Sequence, residues 1–185
     1  MSEQLELLSS AAITSAPAQS EYPYLPASNP ETFAHVLHSL QTRTLSSPIY
    51  AFLLRPLVLI HASPGLIVAR LPLEPNHMNS GGSIHGGVGA TIVDWAGGMS
   101  IASYDLRGGT GVSVDINVTY LSGAKVGETV EIEGKAERVG GNVAFTSVSI
   151  FKVENGTRGR PMVLGRHTKF VGSGRKKTED TNVSK

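Results

Sequence analysis

His85-Gly86-Gly87-Val88-Gly89-Ala90-Thr91-Ile92-Val93-Asp94-Trp95-Ala96-Gly97-Gly98-Met99 is the stretch on which the fold turns. From His85 to Ala102 almost no polar side chain is able to face water. The stretch therefore predicts a long helix covered nearly all round by other elements. Each glycine inside a helix costs about 0.8–1 kcal/mol relative to alanine. A helix carrying several must gain close contact with a sheet, a ligand or a partner's backbone. Asp94 is the only ionisable side chain between His85 and Tyr104. A buried carboxylate is expensive unless it is hydrogen-bonded or lines a pocket. Asp94 is thus either a structural hydrogen-bond hub or a catalytic group, and the residues weigh evenly between the two.

The start of the stretch suggests the other half of a site. The first N–H groups of a helix lack intrahelical partners and carry the positive end of its dipole. Gly86 and Gly87 expose such groups with no side chain in the way, which suits a carbonyl oxygen that becomes an oxyanion when attacked. The plainer alternative is an ordinary helix N-terminus with His85 near its cap. A dinucleotide-binding loop fails, because Ile92 stands where the third glycine belongs. Gly86 and Asp94 lie eight residues apart, ~12 Å along a helix. One reacting carbon cannot touch both on the same helix, so if both act in one reaction they come from two subunits related by a twofold. In a lone chain the open face of so apolar a helix would also be an unusually large apolar patch.

Around this helix the pattern is that of strands. Residues 57–62 and 66–73 flank Ser63-Pro64-Gly65, and 112–120 alternate apolar and polar side chains without a break. Residues 130–139 and 143–153 flank Gly140-Gly141-Asn142, and 162–171 form the last run. Asn29-Pro30 and Ser47-Pro48 each read as a helix start, with Pro56 ending the second helix. One apolar helix among antiparallel strands implies an α+β domain. Residues 1–28 and 173–185 read as a disordered arm and tail.

Composition narrows the function. The chain has 185 residues, 40% of them hydrophobic, a formal charge of +1 and no cysteine. Disulfides, a thiolate nucleophile and Cys-ligated zinc are excluded. No cationic stripe is interleaved with aromatics, which argues against a nucleic-acid partner. The histidines are scattered without acidic partners, so no metal site is expected. No run of about 18 apolar residues suggests a membrane span. The N-terminus resembles neither a secretory signal nor a clear mitochondrial presequence, and a cytoplasmic protein is expected.

His-Gly-Gly followed by Asp94, then Gly111-Val112-Ser113-Val114-Asp115-Ile116-Asn117-Val118-Thr119-Tyr120-Leu121, resembles the hotdog-fold acyl-CoA thioesterases of the PaaI-like branch, closest to the thioesterase superfamily member 2 type. Ala144-Phe145-Thr146-Ser147-Val148 and Gly165-Arg166-His167-Thr168-Lys169 extend the likeness, which runs from about 57 to 172. The resemblance implies a curved antiparallel sheet wrapped around one long helix, within a domain spanning 29–172. It implies dimers joined through their sheets and homotetramers built from dimers. It implies hydrolysis of acyl-CoA in fatty acid metabolism, coenzyme A being part of the substrate and no cofactor being required. Asp94 would be the general base or nucleophile, and the Gly86 N–H would polarise the thioester carbonyl. Asn79 would orient the carboxylate or water, Ser113 would assist, and His85 would shape the loop.

Gly87, Lys125 and Arg166 are further candidates to meet the substrate. The two cations, with Arg138 and Lys169, are weighed against ordinary surface charge. His167 reads more readily as a satisfied structural histidine than as a neighbour of the pantetheine path. Two other functions compete with hydrolysis. One is an acyl-thioester hydratase or dehydratase, which pairs a carboxylate with a histidine. The other is a non-catalytic acyl-CoA-binding protein.

Overall fold

A computed structural model describes residues 15–18 and 21–172. Three α-helices are present among them: α1 (Pro30–Ser39), α2 (Pro48–Leu54) and α3 (Gly86–Asp105). The strands are β1 (Val58–Ser63), β2 (Leu66–Pro72), β3 (Val112–Tyr120), β4 (Thr129–Val139), β5 (Val143–Glu154) and β6 (Thr157–Phe170). They form one antiparallel sheet in the order β1-β2-β4-β5-β6-β3. The sheet packs against α3, the α+β hotdog arrangement expected from the sequence.

The glycines act where the helix crosses the sheet. A Cβ on Gly134 of β4 would lie 2.7 Å from the Ala96 carbonyl oxygen of α3. One on Gly97 would lie 2.7 Å from Thr146 Oγ1 and 2.8 Å from His167 Nδ1, and one on Gly165 would overlap Val93. Glycine on both elements therefore lets the helix approach the sheet more closely than any pair of side chains would allow. Ile92, Val93, Trp95 and Ala96 of α3 are buried in the same core as Ile67, Leu71, Ile132 and Ile150 of the sheet.

The other side of α3 is covered by the N-terminal helices. Asn29 caps α1 by accepting from the Thr32 N–H, with Pro30 at the first helical position. Phe33, Val36 and Leu40 from this segment, and Leu53 and Leu54 from α2, join the core against the helix. The large apolar patch expected on α3 of a lone chain is therefore absent among the described residues, because α1 and α2 fill it. The exposed apolar surface lies instead on β3, at the edge of the sheet, where Val112 and Val114 are 65% and 63% exposed.

The unbroken alternation read along 112–120 is also corrected. Between Ser113 and Asp115 the register shifts: Ser113 pairs with Lys169, but Asp115 pairs with Thr168. This bulge places Ser113 on the inward face of the sheet with Ile116, Val118 and Tyr120, instead of with the outward Asp115 and Asn117. Of the segment expected as an arm, residues 1–14 and 19–20 lie outside the described residues. From residue 21 the chain lies against the sheet, with Leu25 buried beside Ile60 and Val68. The expected tail at 173–185 lies outside the described residues as well.

The close helix–sheet approach sets a stability test. Gly134→Ala pushes a methyl into the Ala96 carbonyl and should cost about 1–3 kcal/mol, the usual range for overpacking. Gly109→Ala, which has open space around it, should change the urea midpoint by less than about 0.5 kcal/mol equivalent.

Candidate active site

Asp94 lies just before the midpoint of the polar-poor helix, and its side chain is 30% exposed. Four groups from three other elements converge on it. Tyr50 of α2 donates its hydroxyl to Oδ2 at 2.5 Å. Ser113 of β3 donates to Oδ1 at 3.2 Å. From β6, His167 Nε2 lies 3.5 Å and Lys169 Nζ 3.7 Å from the same oxygen.

The protons can be assigned by elimination. Ser113 has one hydroxyl proton and gives it to Asp94, so the 2.9 Å contact between Ser113 Oγ and His167 Nε2 requires the imidazole to donate. A neutral ring protonated at Nε2 leaves Nδ1 bare, and Nδ1 is indeed buried against Gly97 without a partner. Burial, helped by the Lys169 charge, holds the His167 pKa below the ordinary histidine value. Burial likewise lowers the Lys169 pKa, against the opposing pull of Asp94. Burial and the bond to Asp94 both raise the Tyr50 pKa, so its hydroxyl remains a donor. A line of donors thus runs from His167 through Ser113 to one carboxylate oxygen, with Tyr50 on the other.

The N-terminal end of α3 has a different character. His85 is the N-cap, and its Nδ1 accepts the Gly87 N–H at 2.9 Å. Gly87 is therefore not a free donor, contrary to expectation. The Gly86 N–H has no protein acceptor among the described residues and lies on the exposed surface. Its carbonyl accepts from Tyr120 Oη at 2.7 Å, which ties the helix start to β3. Asn79 is exposed, and its Oδ1 accepts from the Gly81 and Ser83 N–H groups, fixing the loop ahead of the helix. Within one chain the structure brings Asp94 and Ser113 together, and it groups Gly86, Gly87, His85 and Asn79 at the distant helix start.

Lys125 is exposed in the loop after β3. Arg166 is exposed on the outer sheet face with Asp115, Asn117 and Glu137, away from the face that carries Asp94. Lys169, weighed as surface charge, is buried beside the carboxylate. Tyr50 was not recognised in the sequence at all. The period of β6 could have found Lys169 and His167, since both alternate with outward residues and share a face with the buried Val163. No local signal marks Tyr50.

A cleft of about 110 Å³ opens beside Asp94, lined also by Tyr50, Trp95, Met99, Gly98 and Lys169, and by polar residues from the N-terminal helical segment and the loop after α3.

The buried neutral His167 gives a testable pH dependence. Its folded pKa lies below its unfolded value of 6.5, so below that pH the unfolded chain binds more protons than the folded one. Stability should be at full strength above about pH 6.5 and should fall as the pH drops toward about 5. In thermal melts across that range, His167→Gln should lose less stability on acidification than the unaltered chain.

The sequence profile of the thioesterase superfamily matches residues 81–158. The chain is 39% identical to acyl-coenzyme A thioesterase 13 of Homo sapiens over 117 residues, covering 63% of this chain and 81% of that protein. Among solved structures, zebra fish thioesterase superfamily member 2 is 35% identical at a TM-score of 0.65, over 72% of this chain and 94% of that one. The Mus musculus thioesterase superfamily member 2 is 32% identical at a TM-score of 0.63, over 73% and 96%. With the helix, the wrapped sheet and the carboxylate cleft in place, these likenesses settle the family: the chain belongs to the thioesterase superfamily.

Proposed function

We propose that the protein hydrolyses acyl-CoA thioesters, with Asp94 as the catalytic carboxylate and the Gly86 N–H of a second copy as oxyanion donor. The observation that carries this reading is the Asp94 carboxylate itself: half-open to a cleft and held by donors on both oxygens. A carboxylate fixed in this way suits a general base better than a nucleophile, because both oxygens are restrained against the swing that covalent attack demands. Asp94 takes a proton from water, and the resulting hydroxide attacks the thioester carbon. The oxyanion meets the Gly86 N–H, and collapse releases the acid and coenzyme A as its thiol.

The second copy follows from geometry. Gly86 and Asp94 lie on one helix, eight residues apart, or ~12 Å along the axis. β3 ends the sheet, and its nine residues have no strand on the far side among the described residues. Such an edge is a template for pairing. Pairing of two β3 strands about a twofold would join two sheets and leave each Asp94 beside its partner's helix start, where Asn79 and His85 also stand. Larger homotetramers remain part of this proposal through the family resemblance, as does a role in fatty acid metabolism.

One observation bears on the hydratase alternative. The structure does supply a histidine beside the carboxylate, His167. Its Nε2 is committed to Ser113, its Nδ1 faces Gly97, and it is 1% exposed, so it offers no proton to a substrate. Hydrolysis keeps the stronger support. A binding protein without turnover would have no use for a carboxylate so fully provided with donors.

Asp94→Asn keeps the shape of the side chain and removes its charge, and turnover of acyl-CoA should fall by orders of magnitude while the fold survives. Retained turnover would exclude Asp94. Gly86→Pro tests the donor with little structural cost, since Gly86 is the first helical residue and His85 already has the extended backbone that precedes proline (φ −70, ψ 135). It should lower kcat by ~10²–10³ with KM little changed. Tyr50→Phe retains the ring and loses one bond to a charged group, and kcat should fall ~10-fold at similar KM.

A further inference from the structure

The cleft beside Asp94 extends beyond the groups the hydrolysis uses. Its far wall is built by Ser39 at the end of α1, by Arg43 and Thr44 in a π-helical turn over Leu40–Thr44, and by Gly108 and Thr110 after α3. This wall comes mostly from outside residues 81–158, the part matched by the family profile.

Three features of that wall point to a ligand. Among the described residues, the Ser39 hydroxyl, the Arg43 guanidinium and the Thr110 hydroxyl have no hydrogen-bond partner, although Ser39 is 3% exposed as a residue. The Arg43 guanidinium lies over Gly108, where a Cβ would stand 3.0 Å from Nη2. No carboxylate neutralises it, whereas Lys169 on the same cleft is committed to Asp94. The π-helical turn, a costly local geometry that clusters at functional sites, is the element that carries Arg43 and Thr44 to the cleft.

The remaining wall is apolar but small. Trp95 and Met99 line it, and Gly98 leaves the space a side chain would occupy, with Thr110 Oγ1 3.3 Å from the missing Cβ. At about 110 Å³ the cleft is well below the roughly 300–1,000 Å³ of ordinary ligand pockets. It has room for the end of a substrate and not for a long hydrocarbon chain. An end group that pairs with an uncompensated guanidinium and two free hydroxyls is an anion, and a carboxylate matches the guanidinium fork.

Resting on the assignment of Asp94 as the hydrolytic carboxylate, we infer that this cleft is an acyl subsite for a short acyl group ending in a carboxylate, held by Arg43 with Ser39 and Thr110. The substrate class is the CoA monothioester of a short dicarboxylic acid. Hydrolysis releases the free diacid and the thiol, with water supplying the oxygen and proton.

The test uses the full chain and two four-carbon substrates that differ only in the terminal group, succinyl-CoA and butyryl-CoA. The unaltered protein should show the higher kcat/KM for succinyl-CoA. Arg43→Gln should reduce the ratio of succinyl-CoA to butyryl-CoA kcat/KM ~10–100-fold, as expected for a lost hydrogen bond to a charged group. Arg43→Lys should recover part of that ratio. A preference of the unaltered protein for butyryl-CoA would overturn the inference. So would an Arg43→Gln ratio equal to the original, which would place the guanidinium on the coenzyme A portion shared by both substrates. Failure of the underlying site shows separately, as turnover that survives Asp94→Asn whatever the acyl preference.

Discussion

The structure depends on how closely one helix backbone approaches one sheet. Gly134 on β4 faces the Ala96 carbonyl, and Gly97 on α3 faces Thr146 and His167. At this separation the β6 side chains His167 and Lys169 reach the helix, and β3 beyond them brings in Ser113. A pair of alanines at these points would move the helix outward and open the distances around Asp94. Packing and chemistry therefore share a cause. The glycines that weaken the helix by propensity are the ones that bring donors to Asp94.

The second constraint is electrostatic. A carboxylate on the inside of a sheet is stable only when its oxygens are occupied. Asp94 meets that requirement with one phenol, one hydroxyl and one nearby ammonium, while a neutral imidazole supports the hydroxyl from behind. The bulge at Val114 makes this possible. Without the extra residue, Ser113 would turn outward with Asp115 and Asn117, and the hydroxyl would be lost from the site.

Much of this was legible in the sequence because it follows from periodicity. The helix, its cap at His85 and the strands were readable from apolar spacing and from turn residues, and Asp94 stood out as the only acid in its segment. The bulge was not readable, because one inserted residue leaves an alternating string looking alternating. Lys169 was hidden by its type, since a lysine is rarely buried unless a partner waits for it. Tyr50 was hidden by distance: it reaches Asp94 across 44 residues, on a helix whose docking no local pattern specifies. The same holds for Arg43. The segment before residue 57, left without a role from sequence, forms one wall of the cleft and buries the helix face that had been expected to stay open.

What remains is the assembly that would complete the site. Gly86 carries a free donor and Asp94 a fixed carboxylate, yet one helix keeps them apart, and the open β3 edge offers the means of bringing a second copy alongside. Mixing two separately inactive chains, Asp94→Asn and Gly86→Pro, measures this directly. Random exchange makes about half of the dimers mixed, and each mixed dimer would hold one site with both groups intact. Activity should recover to about a quarter of the unaltered level. No recovery, once mass measurement has confirmed that the subunits exchanged, would place both groups in one chain and contradict the shared site.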